Sequence, residues 1–529
     1  MDAIPPARAD EEARQPTGRR GAGRSGRAAR SGRSRGPEQK PFRQLRLPYA
    51  TTNAVSADEL EAIHDASLTI LEEIGIDFLH EEAKAILKKA GADVETGSDR
   101  VRMDRGLIEE TISTCPPEFT MHARNPAHNI RFGGNWVAFA QMASAPNCSD
   151  IEGGRRPGNQ QDFRNLVKLG QSFNIMHLTG GYPVEPIDLH PSIRHLECGR
   201  DFATLTDKVF HIYSLGRERN LDGIEIARIA RGISAEQLES EPSVLSIINS
   251  SSPLRLDTPM LQGIIEMSGR NQVIVLTPFT LAGAMAPVTV AGALAQQNAE
   301  ALAGIAFTQL VRPGAPVVYG GFTSNVDMKS GAPAFGTPEY MKAALVGGQL
   351  ARRYKLPYRT SNTCAANTVD AQAAYESVFS LWGAIMGGGN FIKHAAGWME
   401  GGLTFSYEKF MVDIDLLQMV AEFLTPLVVD DDTLALDAVR DVGPGGHFFG
   451  TPHTQARYRD AFYAPLISDW RNYESWDEAG RPTAYEKANR LWKEALAQYE
   501  PPPIDLAIAE ELDAFVERRK AEGGAPTDF

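Results

Sequence analysis

Three side chains able to carry charge stand near the ends of two apolar runs: Arg359 in PYRTSN, then Lys393 and His394 in FIKHAAGWME. A guanidinium there can fork a carboxylate. It can equally form an ordinary ion pair with a neighbouring helix. A lysine facing an enclosed pocket can form a Schiff base, as in aldolases and lyases. Strand alternation, however, lets either Lys393 or His394 face inward and not both. For His394 the choice lies between a site role and a satisfied core histidine. Aromatic residues follow in the next loop, Trp398 and Phe405, and after earlier runs, Tyr182 and Tyr213. An aromatic face can hold a cation, although any one of these rings can simply be core packing. Asp370 could balance a cation or cap a helix. Gln141 and Asn249, at the ends of two further runs, are polar residues able to line a pocket or to bond loop backbone.

Eight short apolar runs place these residues: Trp136 to Met142, Asn174 to Gly181, Lys208 to Ser214, Ser243 to Asn249, Gln272 to Phe279, Pro316 to Thr323, Leu356 to Asn362 and Asn390 to Gly397. Segments with helical spacing lie between many of them, including Asp162 to Phe173, Val290 to Leu310, Ala371 to Met386 and Tyr407 to Leu424. Eight strand and helix alternations predict a closed (β/α)8 barrel over 136–425, with an open doubly wound sheet as the rival. In either architecture the strand C-termini hold the site, so Arg359, His394, Gln141 and Asn249 should share one mouth.

The flanks divide the rest. Residues 1–48 hold 12 Lys and Arg against 5 Asp and Glu, in a chain of net charge −14. Thr17 to Gly36, almost wholly Arg, Gly, Ala and Ser, predicts a disordered tail. Nothing aromatic interleaves its arginines, so nucleic-acid binding is not expected. Residues 49–135 predict a helical accessory region. Within it, Ser56 and Glu59 form a capping box opening a helix over 57–74 that Gly75 ends. Residues 426–529 predict a C-terminal helical extension. With 43% hydrophobic and 23% charged residues the chain reads as globular. No run reaches the roughly 18 apolar residues of a membrane helix, and no secretory signal is present. Cys115, Cys148, Cys198 and Cys364 lack CxxC spacing, which argues against a disulfide framework or thiolate zinc site. A cytoplasmic location is expected.

Several segments in order resemble the trimethylamine methyltransferase family: ASLTILEEIGIDF with AGADV, HARNPAHNIRFGG, ASAPNCSDIEGGRRPGNQQDF, TPFTLAGAMAPVTVAGALAQQNAEALAG, SNTCAANTVDAQAAYES and GPGGHFFGTPHTQARYRDAFYAPLISDW. The resemblance covers nearly everything after the tail. It implies a (β/α)8 barrel and methyl transfer from a methylated amine to the Co(I) of a separate small corrinoid protein, with no tightly bound cofactor or metal. Archaeal trimethylamine enzymes of the family carry pyrrolysine near the segment that is here Ser361 to Asn367, where this chain has ordinary residues. Members without it act on quaternary amines such as glycine betaine. For such a substrate Arg359 is the carboxylate clamp, and Trp398, Phe405, Tyr182 and Tyr213 the cage for the ammonium. Asp370, Gln141 and Asn249 are supporting polar groups. A homo-oligomer is expected. The alternatives are a quaternary-amine binding protein without catalysis and a Schiff-base lyase using Lys393.

Overall fold

The computed structural model describes residues 39–527; most of the Arg-rich tail lies outside them. Seven short parallel strands supply most of the barrel: Trp136–Phe139, Phe210–His211, Val244–Ile248, Val273–Leu276, Val317–Gly320, Tyr358–Ser361 and Phe391–Lys393. The eighth position, second in chain order, is reduced to Leu178, which bridges Ala140 on one side and Val209 on the other. The last strand pairs with the first through Phe391 and Ala138, so the ring closes and the open-sheet rival is excluded. An α-helix follows each strand position: Gln160–Ser172, Pro191–Leu205, Arg217–Arg231, Thr258–Gly269, Val290–Val311, Pro338–Arg353, Ala371–Met386 and Tyr407–Phe423. The fold is therefore a (β/α)8 barrel.

Alternation along the strands sorts the core. Ala138, Ala140, Leu178, Val209, Leu245, Val273, Val275, Val318 and Phe391 fill the interior. A hairpin, Glu118–Met121 with Ile130–Gly133, inserts Met121, Ile130 and Phe132 beneath them. Phe132 meets Phe391 with ring centroids 5.5 Å apart, sealing the N-terminal end. The opposite end carries the loops that follow the strand C-termini.

At that end the chain builds walls. Phe279–Ala282 and Phe322–Val326 pair in parallel beyond the fifth and sixth strands. Across the mouth, Trp398–Met399, Thr404–Ser406, Asn147–Asp150 and Gly154–Pro157 form a small sheet.

The flanks pack on this frame. Ser56 and Glu59 make the expected capping box, and the helix Ala57–Thr69 continues as a π turn, Ile70–Ile74, ending at Gly75 with φ 78°. Residues 39–48, which the sequence reading puts in the tail, are tied down: Leu45–Arg46 pairs antiparallel with Trp136 and Val137. Gln39 bonds the carbonyl of Ser172 at 2.8 Å. The C-terminal helices Ala484–Ala497 and Leu506–Ala521 cover the barrel through Trp492, whose Nε1 donates to Glu408 at 3.0 Å, and Arg519, whose Nε donates to Asp222 at 2.7 Å. Among the described residues no helix is long and apolar enough to cross a membrane.

Candidate active site

One layer of the interior, at the C-terminal end of the strands, is polar and holds several side-chain atoms without partners. Arg359 on the seventh strand sits beside Phe391, an interior residue, and is 2% exposed. Its Nε has no partner, its Nη1 makes only a long 3.4 Å bond to the carbonyl of Gly321, and its guanidinium lies 5.0 Å from the Phe322 ring. Lys393, two residues beyond Phe391 on the eighth strand, is 7% exposed, and its ammonium group is in no hydrogen bond or ion pair among the described residues. On the third strand, His211 accepts from the N–H of Ile247 at Nε2, 3.2 Å, and leaves Nδ1 unpaired. Thr277, next inward-facing position after Val275, keeps its hydroxyl unpaired as well. Gly320 is required here, because a Cβ at that position would fall 2.2 Å from the Thr277 hydroxyl.

Electrostatics marks these groups as short of negative charge. Burial, only partly offset by neighbouring tyrosines, pulls Arg359 down to about 10. Burial and then the Arg359 charge hold Lys393 well below the usual lysine range. Burial and then Lys393 do the same to His211. Buried charges are ordinarily paired. No carboxylate pairs with Arg359 or Lys393 among the described residues.

His394 joins this layer despite strand alternation. Its φ of 58° turns the backbone out of the strand, so Lys393 and His394 both reach the mouth, contrary to the either-or expectation. The His394 ring lies 4.4 Å from Trp398, tilted by 48°, its Nδ1 lies 3.1 Å from the Ser361 hydroxyl, and burial, Lys393 and Arg359 all lower its basicity. Asn249 ends the fourth strand at the same mouth, exposed. Tyr213, in the loop two residues after His211, is half-buried; its ring stands perpendicular to the His211 ring at 6.0 Å and its hydroxyl donates to Glu185.

Other expected site residues are elsewhere. Gln141 is 1% exposed and turned toward the helix Gln160–Ser172, where a Cβ on Gly170 would come within 2.4 Å of its Oε1. Phe405 is fully buried against Gly397 and Phe410 in the outer core, because pairing of its strand with Asn147–Asp150 aims it away from the mouth. Tyr182 packs among Phe163, Phe202 and Tyr213. Trp398 is 5% exposed, with its indole N–H given to the carbonyl of Cys364 at 2.8 Å, and forms the floor under His394 rather than an open face. Asp370 is an exposed N-cap, accepting from the N–H groups of Gln372 and Ala373. The sequence reading missed Phe279 and Phe322, 5.2 Å apart at the mouth, and the polar pair His211 and Thr277. Continuing the two-residue alternation from Val209, Val273 and Val275 would have found His211 and Thr277. Among the described residues no grouping of His, Cys, Asp or Glu is placed to share a metal ion.

Residues 20–524 match the family model described as trimethylamine methyltransferase (MTTB). The chain is 37% identical to a glycine betaine methyltransferase of Desulfitobacterium hafniense (strain Y51), over 89% of this chain and 98% of the relative. It is 29% identical to a trimethylamine methyltransferase MttB from D. hafniense (strain DSM 10664 / DCB-2), over 89% and 94% respectively. A solved structure, the hydroxylamine MtmB complex, overlays 86% of this chain and 98% of that one with a TM-score of 0.48 at 11% identity. The chain belongs to the trimethylamine methyltransferase family.

Proposed function

We propose that the chain transfers a methyl group from a quaternary amine bearing a carboxylate, of the glycine betaine type, to the corrinoid of a separate small protein. The observation that carries this reading is the unpaired layer of Arg359, Lys393, His211 and Thr277 at the C-terminal end of the barrel strands. A carboxylate there accepts a charge-assisted bond from Arg359 and another from Lys393. The 37% identity to a glycine betaine methyltransferase supports the same substrate class.

With the carboxylate held at the interior layer, the ammonium points outward toward Phe279 and Tyr213, the mouth aromatics that keep part of their surface open. The departing tertiary amine is neutral, so the chain has no proton to supply at the bond-breaking step; its work is orientation. The corrinoid, on its carrier, supplies the Co(I) nucleophile. The rim fits a docking carrier: Met328 and Val288, neighbours around Gly283, are 72% and 68% exposed. Incubation of the full chain with Co(I) corrinoid and a panel of amines tests the proposal. Loss of the Co(I) absorption with glycine betaine, together with formation of the tertiary amine, is the expected result. Binding without any methylation would leave the binding-protein alternative in its place.

One observation favours a second reading. A buried, unpartnered lysine of depressed basicity has the character of a Schiff-base former. Borohydride reduction in the presence of carbonyl compounds, followed by peptide mass analysis, would find Lys393 modified only if that reading holds.

A further inference from the structure

The helix Ala371–Met386 lies on the outside of the barrel yet exposes no charged side chain. Its one Asp, Glu, Lys or Arg, Glu376, is buried and accepts from the N–H groups of Ala365 and Ala366. The open face carries Tyr375, Val378, Phe379 and Trp382, the three-and-four spacing of a buried stripe, at 60%, 49%, 37% and 46% exposure. The neighbouring helix Tyr407–Phe423 extends this face with Met419 and Phe423, the latter 5.4 Å from Trp382.

A second bare surface begins where that helix ends. Residues 426–462 leave the body as an arm, and their hydrogen bonds and ion pairs, such as Arg457 to Asp432 and His453 to the carbonyl of Asp432, stay within the segment among the described residues. The chain is anchored again only at Tyr463, Leu466 and Ser468, which bond Asp415. Leu427, Val429, Phe449 and Phe462 on the arm are 87%, 68%, 79% and 87% exposed. A large apolar side chain carries on the order of 200 Å², so the helix face leaves roughly 550 Å² and these four arm side chains roughly 650 Å² uncovered. The first is at the top of the roughly 300–600 Å² of the largest patch on an ordinary monomer and the second beyond it. Counted in two copies they exceed the roughly 1,600 Å² of a standard stable interface.

We propose that two copies of this chain exchange these surfaces: residues 426–462 of each copy lie across the face formed by Tyr375, Phe379, Trp382 and Phe423 of the other. The geometry suits a two-fold axis, because the arm springs from the edge of the face it matches, so that one rotation satisfies both copies at once. Each exchange covers an arm and a face, and the symmetric pair buries both twice.

The test uses the full chain in sedimentation equilibrium at micromolar concentration. The native protein is expected as a dimer or a multiple of dimers. Phe379→Glu with Trp382→Glu, and separately Phe449→Ser with Phe462→Ser, should each halve the mass of the dimer while leaving the circular dichroism spectrum and unfolding cooperativity intact. If the charged pair does not fold, Phe379→Ser with Trp382→Ser replaces it. Mixing the face variant with the arm variant should restore a dimer, since one intact arm then meets one intact face. A monomeric native chain, arm variants of unchanged mass, or a mixture that stays monomeric would each overturn the exchange.

Discussion

Replacing Arg359 by Met, which keeps much of the length and removes the charge, should stabilise the ligand-free protein while weakening carboxylate binding. Burial pulls Arg359 from the ordinary arginine range down to about 10. At 1.36 kcal/mol per pKa unit, holding this charge in the empty site costs about 3 kcal/mol. The variant also loses the cation over Phe322, about 0.5–2 kcal/mol, which leaves a net gain of order 1–2 kcal/mol. The sign with pH follows from linkage. Below about pH 10 the group is charged in both folded and unfolded chains, so the cost is full and constant. From about pH 10 up to the ordinary arginine range the folded chain binds fewer protons than the unfolded one, stability rises with pH, and the advantage of the variant shrinks. Urea unfolding at pH 7 to 9 measures the gain. Calorimetric titration should find glycine betaine weakened by about 1.5–3 kcal/mol, the value of hydrogen bonds to a charged group, and choline, which has no carboxylate, changed little or bound better. A variant that is less stable and loses both ligands equally would refute the reasoning and make Arg359 a structural cation.

Lys393 should take up a proton when a carboxylate binds, because burial and then the Arg359 charge depress its basicity and the ligand's negative charge offsets both; titration in buffers of different ionisation enthalpy measures the uptake, and none would mean the amine is already charged in the free site. Gly320→Ala should abolish substrate binding by driving a methyl group into Thr277, and the unfolding midpoint separates this from misfolding. Asp370→Ala should cost about 0.5–2 kcal/mol of stability through the lost cap, with KM and kcat unchanged in the corrinoid assay. Phe405→Leu should lower stability by roughly 1–3 kcal/mol as a core truncation without discriminating quaternary from tertiary amines, whereas Phe279→Leu should raise KM for quaternary amines.

The barrel was legible because strands buried on both faces read as apolar runs, and seven of the eight runs contain a paired strand. The second run shrinks to Leu178, since Gly180 and Gly181, which follow it, press against the first strand and the third-strand His211 and leave little room for a regular ladder. Arg359, Lys393 and His394 were found from their position at strand ends. What defeated the reading was side-chain direction. His394 departs from alternation through a left-handed backbone, and Phe405 and Trp398 are aimed by a small sheet whose pairing to residues 147–149 joins segments far apart in sequence. His211 and Thr277 are lone polar residues inside apolar runs, and only the interior register, fixed by all eight positions together, gives them meaning. The strap at 39–48 was hidden by the charge of the tail preceding it.

The charge of the interior bears on selectivity within the proposed reaction. An Arg359 guanidinium without an acid beside it makes the empty layer hostile to any cation. At an effective dielectric constant of 20 and roughly 6 Å, that unit charge repels a cationic ligand by about 3 kcal/mol, more than a hundredfold in affinity. An aromatic face returns at most about 2 kcal/mol to a desolvated ammonium, too little to offset that repulsion. A zwitterion escapes this balance, because its carboxylate meets the basic groups first and screens them from the ammonium only a few bonds away. Choline and protonated trimethylamine lack that screen. Selectivity for carboxylate-bearing amines on this argument is chiefly exclusion of bare cations, so neutralising Lys393 and Arg359 together should admit choline to the mouth while glycine betaine is lost. A double variant, Arg359→Met with Lys393→Met, that binds neither amine would show the aromatic wall too weak to hold an ammonium, and would remove Phe279 and Tyr213 from the substrate site.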